Sequence, residues 1–197
     1  MSKLTQALEE IVSWLRVNYP EAISKLRPGL TIEEINKITK GFPFTLPKEI
    51  YELYQFCNGG IVLGNYDLII DSLEESLEQS YSWEWAKEPP SLDNHIFTVF
   101  HGDGHDVYYV LCDKQEKKKS PVWSAWAAHG CEPSIYASNL VNLMLTVAEC
   151  YRTGAYYTCS DEEGYLEIGT DLEKFEKIFQ KYNPKQMNAW DEIWRDR

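Results

Sequence analysis

The stretch IFTVFHGDGHDVYYVLCD, residues 96–113, constrains the fold more than any other part of the chain. Its β-branched and aromatic residues lie on both sides of a Gly-Asp-Gly tip at 102–104, which is the pattern of two antiparallel strands joined by a tight turn. The segment PVWSAW, residues 121–126, is expected to add a third antiparallel strand. Upstream, GIVLGNYDLII, residues 60–70, predicts two short strands or one bent strand.

Helical patterns precede this block of strands. Apolar residues recur at helical spacing over residues 3–18, and Thr31 followed by Glu34 is the capping-box pattern at the start of a short second helix. A third helix is expected to begin at Pro47, where a missing N–H does no harm, and to stop at Asn-Gly-Gly, residues 58–60.

Further helices follow the strands. One is predicted over about 138–152, capped by Ser138 or Asn139, and a last one runs from its cap at Asp171 to Asn183. The segment GYLEIGT between them is interpreted as an edge strand.

This order of elements predicts an α+β fold, a mostly antiparallel sheet with helices packed on it. A doubly wound parallel sheet is disfavoured because the strands do not alternate with crossover helices. We expect one domain over residues 1–197, with a core of about 20–183, an N-terminal helix at 3–18 and a tail at 184–197.

The charge of the chain limits its partners. It carries 19 Lys and Arg against 31 Asp and Glu, a net charge of −12, which disfavours direct contact with nucleic acid or an anionic membrane and favours a basic protein. The five cysteines are odd in number and form no C-x-x-C pair, so reduced thiols are expected rather than a disulfide framework. The beginning MSKLTQALEE lacks the apolar region of a secretory signal, so we expect a cytoplasmic protein.

The most conspicuous candidate for a metal site is His101, Asp103 and His105 at the hairpin tip. Two imidazoles and a carboxylate are suitable ligands, but no third His or Cys lies at ligand spacing, so a solvent-exposed turn is the preferred interpretation. His129 with Cys131, and the acidic turn at 161–163, are likewise interpreted as loops. The sequence therefore predicts no metal, no cofactor and no catalytic residue, and no phosphate-binding or nucleophile motif occurs in it.

The acidic segment between residues 71 and 93 is the most informative surface candidate. It carries seven carboxylates against Lys87 alone, with Tyr81, Trp83 and Trp85 in its middle. Aromatic residues surrounded by carboxylates suit a protein interface, in which aromatic anchors supply affinity and charge steers association. A solvated helix face with its Trp side chains turned inward explains the same pattern, and both interpretations stay open.

Several of these motifs together resemble the SUKH superfamily, which includes fungal cell-wall synthesis regulators and many bacterial immunity proteins. The resemblance lies in LPKEIYELYQFCNGG, HGDGHDVYYVLCD, PVWSAW and YASNLVNLMLTVAECYRTGAY, in that order, over about residues 20–155. It implies the SUKH fold and a non-catalytic protein, and it makes fold-signature positions of Leu46, Pro47, Asn58, Gly59, Gly60, Gly102, Asp103 and Gly104.

The resemblance also implies a function, since bacterial members bind and neutralise polymorphic toxins, frequently nucleases. We expect an immunity protein, a monomer or weak homodimer, that binds a basic toxin domain through Glu74, Glu75, Glu78, Trp83 and Trp85. The alternative is a regulatory or scaffold protein of the same fold without a toxin partner. A less favoured alternative is a metal-dependent enzyme that uses His101, Asp103 and His105.

Overall fold

The predicted hairpin lies at the centre of a six-stranded antiparallel sheet in the computed structural model. The structure describes residues 1–64, 68–82, 94–102, 106–126, 133–160 and 163–184. The strands pair in the order in which they occur in the chain, and they are β1 (Ile61–Leu63), β2 (Leu68–Ile70), β3 (Asn94–His101), β4 (Asp106–Asp113), β5 (Val122–Trp126) and β6 (Ser134–Ala137). The two short strands, the hairpin and the third strand expected from the sequence are therefore confirmed.

Six α-helices lie within the described residues: α1 (Lys3–Asn18), α2 (Ile32–Ile38), α3 (Lys48–Phe56), α4 (Leu73–Ser82), α5 (Leu140–Thr153) and α6 (Leu172–Tyr182). The helix caps predicted from the sequence are confirmed. Thr31 and Glu34 form the capping box of α2, Asn139 rather than Ser138 caps α5, and Asp171 caps α6. No helix in the described part of the chain is long and apolar enough to span a membrane.

A second, two-stranded sheet follows α5 and consists of β7 (Tyr156–Ser160) and β8 (Leu166–Thr170). The edge strand expected in GYLEIGT is β8. Neither β6 nor β7 is predicted from the sequence. Each strand is short, and its extended conformation depends on pairing with another strand rather than on a clear sequence pattern of its own.

The main core lies between the helices and one face of the large sheet. Apolar residues of α1, α3, α5 and α6 form one buried cluster with alternate residues of β3 and β4, such as Phe97 and Val110. A smaller cluster of Ile96, Tyr109 and Ala125, with Leu111 and Trp123 against it, draws its members from β3, β4 and β5. The fold is therefore α+β, with helices packed on an antiparallel sheet, as predicted.

The Asn-Gly-Gly turn after α3 requires its two glycines. Gly59 and Gly60 have φ of 79° and 81°, the left-handed region that glycine adopts without strain. A Cβ on Gly60 would lie 1.9 Å from the carbonyl oxygen of Lys25, and one on Gly59 would lie 2.5 Å from the backbone of Asp71. The chain entering α4 and the backbone at Lys25 therefore pass so close to this turn that a side chain cannot fit at either glycine.

Leu46 and Pro47, at the start of α3, are both buried. At the hairpin tip Gly102 is buried, and its N–H donates to the carbonyl of Asp106 at 2.8 Å. Asp103 and Gly104 lie outside the described residues.

Candidate protein-binding surface

The acidic helix α4 is fixed at its first turn by two neighbouring groups. The side-chain oxygen of Asn58, from the Asn-Gly-Gly turn, accepts the N–H of Leu73 at 2.8 Å. Ser72 and Glu75 form a reciprocal capping box, in which Glu75 Oε2 accepts from the Ser72 N–H at 2.8 Å and the Glu75 N–H donates to Ser72 Oγ at 3.2 Å. The S-x-x-E spacing of residues 72–75 is the sequence signal for this helix start.

The buried side of α4 is lined by small hydroxyl side chains. Ser76 and Ser80 are fully buried, and Ser76 Oγ lies 2.7 Å from the hydroxyl of Tyr54. Ser80 Oγ accepts the N–H of Thr98 on β3 at 3.0 Å and donates to the carbonyl of Ser76 at 2.6 Å. Because these serines are short and their hydroxyls are hydrogen-bonded, α4 can lie close against β3.

The exposed side of α4 carries a stripe of Glu74, Glu78 and Tyr81. Spacings of four and three residues place these side chains on one face of a helix, and all three are exposed, Tyr81 by 49%. Glu74 makes a long hydrogen bond of 3.4 Å with the Asn58 amide. Within the described part of the chain, Glu78 has neither a hydrogen bond nor an ion pair from its side chain. We call these three residues the α4 stripe.

Glu75 has a different role from its two neighbours. Besides Ser72, its Oε2 contacts Arg27 Nη2 at 2.9 Å. The hydrogen bond from the Ser72 hydroxyl, with those from the Ser72 N–H and from Arg27, lowers the pKa of Glu75 to about 2. Its carboxylate therefore fixes the helix start, and the partner contact expected of Glu75 together with Glu74 and Glu78 stays a prediction.

An aromatic cluster continues the α4 stripe at the end of the helix. The ring of His95 on β3 lies 5.5 Å from Tyr81, 5.3 Å from Phe42 and 5.5 Å from Phe44, measured between ring centroids. These residues come from a loop, a helix and a strand, so no local pattern in the sequence could have grouped them. Trp83 and Trp85, which were expected to supply the aromatic contacts, lie outside the described residues.

His101 lies on a strand rather than in a solvent-exposed turn. It pairs with Val107 as the last residue of β3, because the hairpin register continues to the tip. Its Nδ1 lies 2.7 Å from Asp71 Oδ2, which also accepts from Gln79 Nε2 at 2.9 Å. The hydrogen bond to Asp71 raises the pKa of His101 above its ordinary value against the opposing effect of burial.

Most of the other candidates for metal binding or catalysis lie outside the described residues: Asp103, His105, His129, Cys131, Asp161 and Glu162. Within those that are described, no three His, Cys, Asp or Glu side chains are grouped so that they could hold a metal ion. The Cys57, Cys112, Cys150 and Cys159 side chains are free thiols.

An antiparallel sheet covered by helices, with the Leu-Pro helix closed by Asn-Gly-Gly, is the architecture of a SUKH domain. The family model described as the SMI1 / KNR4 family (SUKH-1) matches residues 29–145, more than half of the chain. The chain therefore belongs to the SMI1 / KNR4 family. No curated protein matches the sequence. The match contains the whole six-stranded sheet and α4, whereas α1, the small sheet and α6 lie beyond it.

Proposed function

We propose that this protein is a non-catalytic immunity protein of the cytoplasm, which neutralises a cognate toxin domain by binding it directly. The observation that carries the proposal is the α4 stripe, which presents two carboxylates and a half-exposed tyrosine on a helix that Ser72, Glu75 and Asn58 fix in place. Membership of a family whose bacterial members act as immunity proteins supports it.

Charge favours a basic partner. The net charge of −12 attracts a positively charged domain at long range and raises its association rate. A nuclease that grips phosphate groups is such a domain, because it needs Lys and Arg in its groove. Carboxylates on α4 can then occupy the positions that phosphates would take.

The aromatic cluster gives the surface an anchor. Tyrosine is enriched among the residues that dominate binding energy, where neighbouring contacts exclude water from it. Tyr81 is 49% exposed, whereas Phe42, whose ring it contacts, is only 8% exposed. The tyrosine ring therefore packs against a buried residue. An interface centred on Tyr81 would bury a rigid ring at little cost in side-chain entropy.

The first experiment is recovery of the tagged protein from its own cells, followed by identification of its partners by mass spectrometry. A basic toxin domain in near-equal amount is the expected result. Recovery of housekeeping proteins instead would favour the regulatory or scaffold alternative.

The surface is then tested by measuring toxin binding to two matched variants. The triple variant E74Q/E78Q/Y81A alters the α4 stripe. The control variant E173Q/E176Q/Y157A removes an equal number of carboxylates and one tyrosine from other parts of the surface, and Tyr157 is 45% exposed. We expect the first to weaken binding at least about tenfold and to lower its dependence on salt, and the second to change affinity less than about twofold. Equal affinities of both variants would show that the toxin binds another surface.

A further inference from the structure

The large sheet has a second apolar face, which is also buried. Along β4, Val107, Tyr109 and Leu111 alternate with residues of the main cluster, so they lie on the face that points away from that cluster. Ile96 and Ala125 belong to the same small cluster as Tyr109, and all three are at most 8% exposed. We call this side of β3, β4 and β5 the outer face.

The six helices do not account for the burial of the outer face. Each of them contributes at least one residue to the main cluster, and none of the described helical residues belongs to the small cluster. Helix α4 lies at the edge of β3, because Ser80 accepts a backbone N–H, that of Thr98, which points along the plane of the sheet. The outer face is therefore covered by something other than these helices.

Two polar atoms of the outer face have no hydrogen-bond partner among the described residues. They are Thr98 Oγ1 and Trp123 Nε1, and both are buried. Each of these residues pairs with Tyr109 across the sheet, and directly paired residues point to the same face. An occupant that brings polar side chains as well as apolar ones would satisfy these two groups.

The chain beyond α6 starts within reach of the outer face. Asn183 accepts the N–H of Ser138, which follows the last residue of β6, so residues 185–197 begin near the β6 edge of the sheet. Residues 184–186 in extended form span about 10 Å, which is enough to pass around this edge. Residues 187–197 as a helix are about 16 Å long, and the three strand spacings from β6 to β3 measure about 14 Å.

The same segment has the pattern of an amphipathic helix. Met187, Trp190, Ile193 and Trp194 recur at helical spacing, and most of the intervening residues are polar or charged. We propose that residues 187–197 dock on the outer face as a helix, with these four side chains against the apolar residues of β3, β4 and β5. The docked helix closes the sheet on its second side and withholds this apolar face from partners. The proposal does not depend on the toxin or on the α4 stripe.

Charge and covalent attachment favour this segment over a separate molecule. The residues that define the outer face are uncharged, and residues 185–197 carry three basic and three acidic side chains, so neither side repels the other. A second copy of the chain would instead bring a further net charge of −12. A tethered segment also acts at an effective concentration of about 1 mM, which a free partner must exceed by tighter binding.

The test observes Trp123 in the full-length protein labelled with 5-fluorotryptophan. Its ¹⁹F resonance, assigned with Trp123→Phe, is broadened by a soluble gadolinium chelate in proportion to its accessibility. We expect W190A/W194A to increase this broadening at least about twofold and to raise the fluorescence of added ANS, because the outer face loses its cover. W190F/W194F keeps two aromatic side chains and should behave as the wild type. If the alanine variant does not fold, Ile193→Ala gives the same readout with a smaller change.

A matched control removes two tryptophans from another segment. W83A/W85A alters residues 83–93, which join α4 to β3 and contain Pro89 and Pro90, residues that disfavour a helix. We expect it to leave the Trp123 resonance unchanged, and urea unfolding shows whether each variant stays folded. The proposal is wrong if W83A/W85A exposes Trp123 and W190A/W194A does not, or if neither variant exposes it. Broadening that increases when the wild type is diluted would assign the cover to a second copy and likewise overturn the proposal.

Discussion

Asp71 joins two parts of the molecule through one carboxylate oxygen. Oδ2 contacts His101 at the end of β3 and Gln79 within α4, while its backbone lies against Gly59 of the Asn-Gly-Gly turn. The side chain of Asp71 is only 12% exposed, whereas that of His101 is 35% exposed. The hairpin end and the acidic helix are therefore coupled by an ion pair that exists only while His101 is protonated.

The stability of the protein should depend on pH through this pair. Because the folded-state pKa of His101 is raised, its contribution is fully present below the unfolded value of about 6.5 and is lost as pH rises through the folded pKa. We expect the loss to be at most about 1 kcal/mol, since solvent screens a side chain that is one-third exposed. Urea unfolding of the wild type and His101→Gln at about pH 5.5 and about pH 8.5 measures it. A difference between the two proteins that stays constant with pH would contradict the prediction, and Asp71→Asn should lower the pKa of His101 measured by NMR.

At the scale of elements, α5 and α6 are joined by one buried amide. Asn183, fully buried just after α6, accepts the N–H of Ser138 at 2.9 Å and donates to Thr146 Oγ1 at 3.2 Å. A second hydrogen bond joins the same two helices, since Asn142 of α5 donates to the carbonyl of Tyr182 at 2.8 Å. The end of α6 is thereby fixed against the start of α5.

Asn183→Ala should destabilise the protein by about 2–3 kcal/mol, because it removes the acceptor of the partly buried Ser138 N–H and the donor to the buried Thr146 hydroxyl. Urea unfolding measures the change in midpoint. Asn36→Ala is the matched control, since Asn36 is exposed and makes one hydrogen bond of 3.4 Å, and its effect should stay within about 0.5 kcal/mol. Equal stability of the two variants would show that the amide does not join the helices.

Elements whose signals are local could be predicted from the sequence. Apolar residues at helical spacing over residues 3–18 predict α1, which spans Lys3–Asn18. Thr31, Asp171 and Asn183 mark helix ends where the structure has them. The surface could not be predicted in the same way. Whether Glu74 and Glu78 face solvent while Glu75 binds Ser72 and Arg27 depends on contacts with β3 and with residues far away in the chain.

At the scale of the whole molecule, α1 belongs to the main core although the family match begins after it. Six of its residues, Leu4, Ala7, Leu8, Ile11, Val12 and Leu15, are at most 6% exposed and pack in the same cluster as α5. Glu10 and Arg152 add an ion pair across this contact. The helix is therefore a structural part of the domain.

Deletion of residues 1–18 should prevent the protein from folding as a soluble, cooperative unit. The five large buried side chains removed, at about 1.5–3 kcal/mol each, correspond to about 7.5–15 kcal/mol of burial, which is as much as the usual stability of a domain. Solubility, far-UV circular dichroism and urea unfolding measure the effect. The full-length variant with Glu9 and Val17 each changed to Lys is the control and should keep its midpoint, because both side chains are exposed on α1. A soluble truncated chain with an unchanged transition would mean that α1 is a dispensable arm.

The order of the six strands has a consequence for synthesis on the ribosome. Each strand of the large sheet pairs with the one before it, so the sheet can grow as the chain emerges, and its longest connection, residues 71–93, contains α4. The helix α1 emerges first, but Glu10 and its partner Arg152 are 142 residues apart. Although α1 also contacts α3, the part of its apolar stripe that packs against α5 stays uncovered until α5 is made, and during that interval the nascent chain exposes apolar surface that a chaperone can protect.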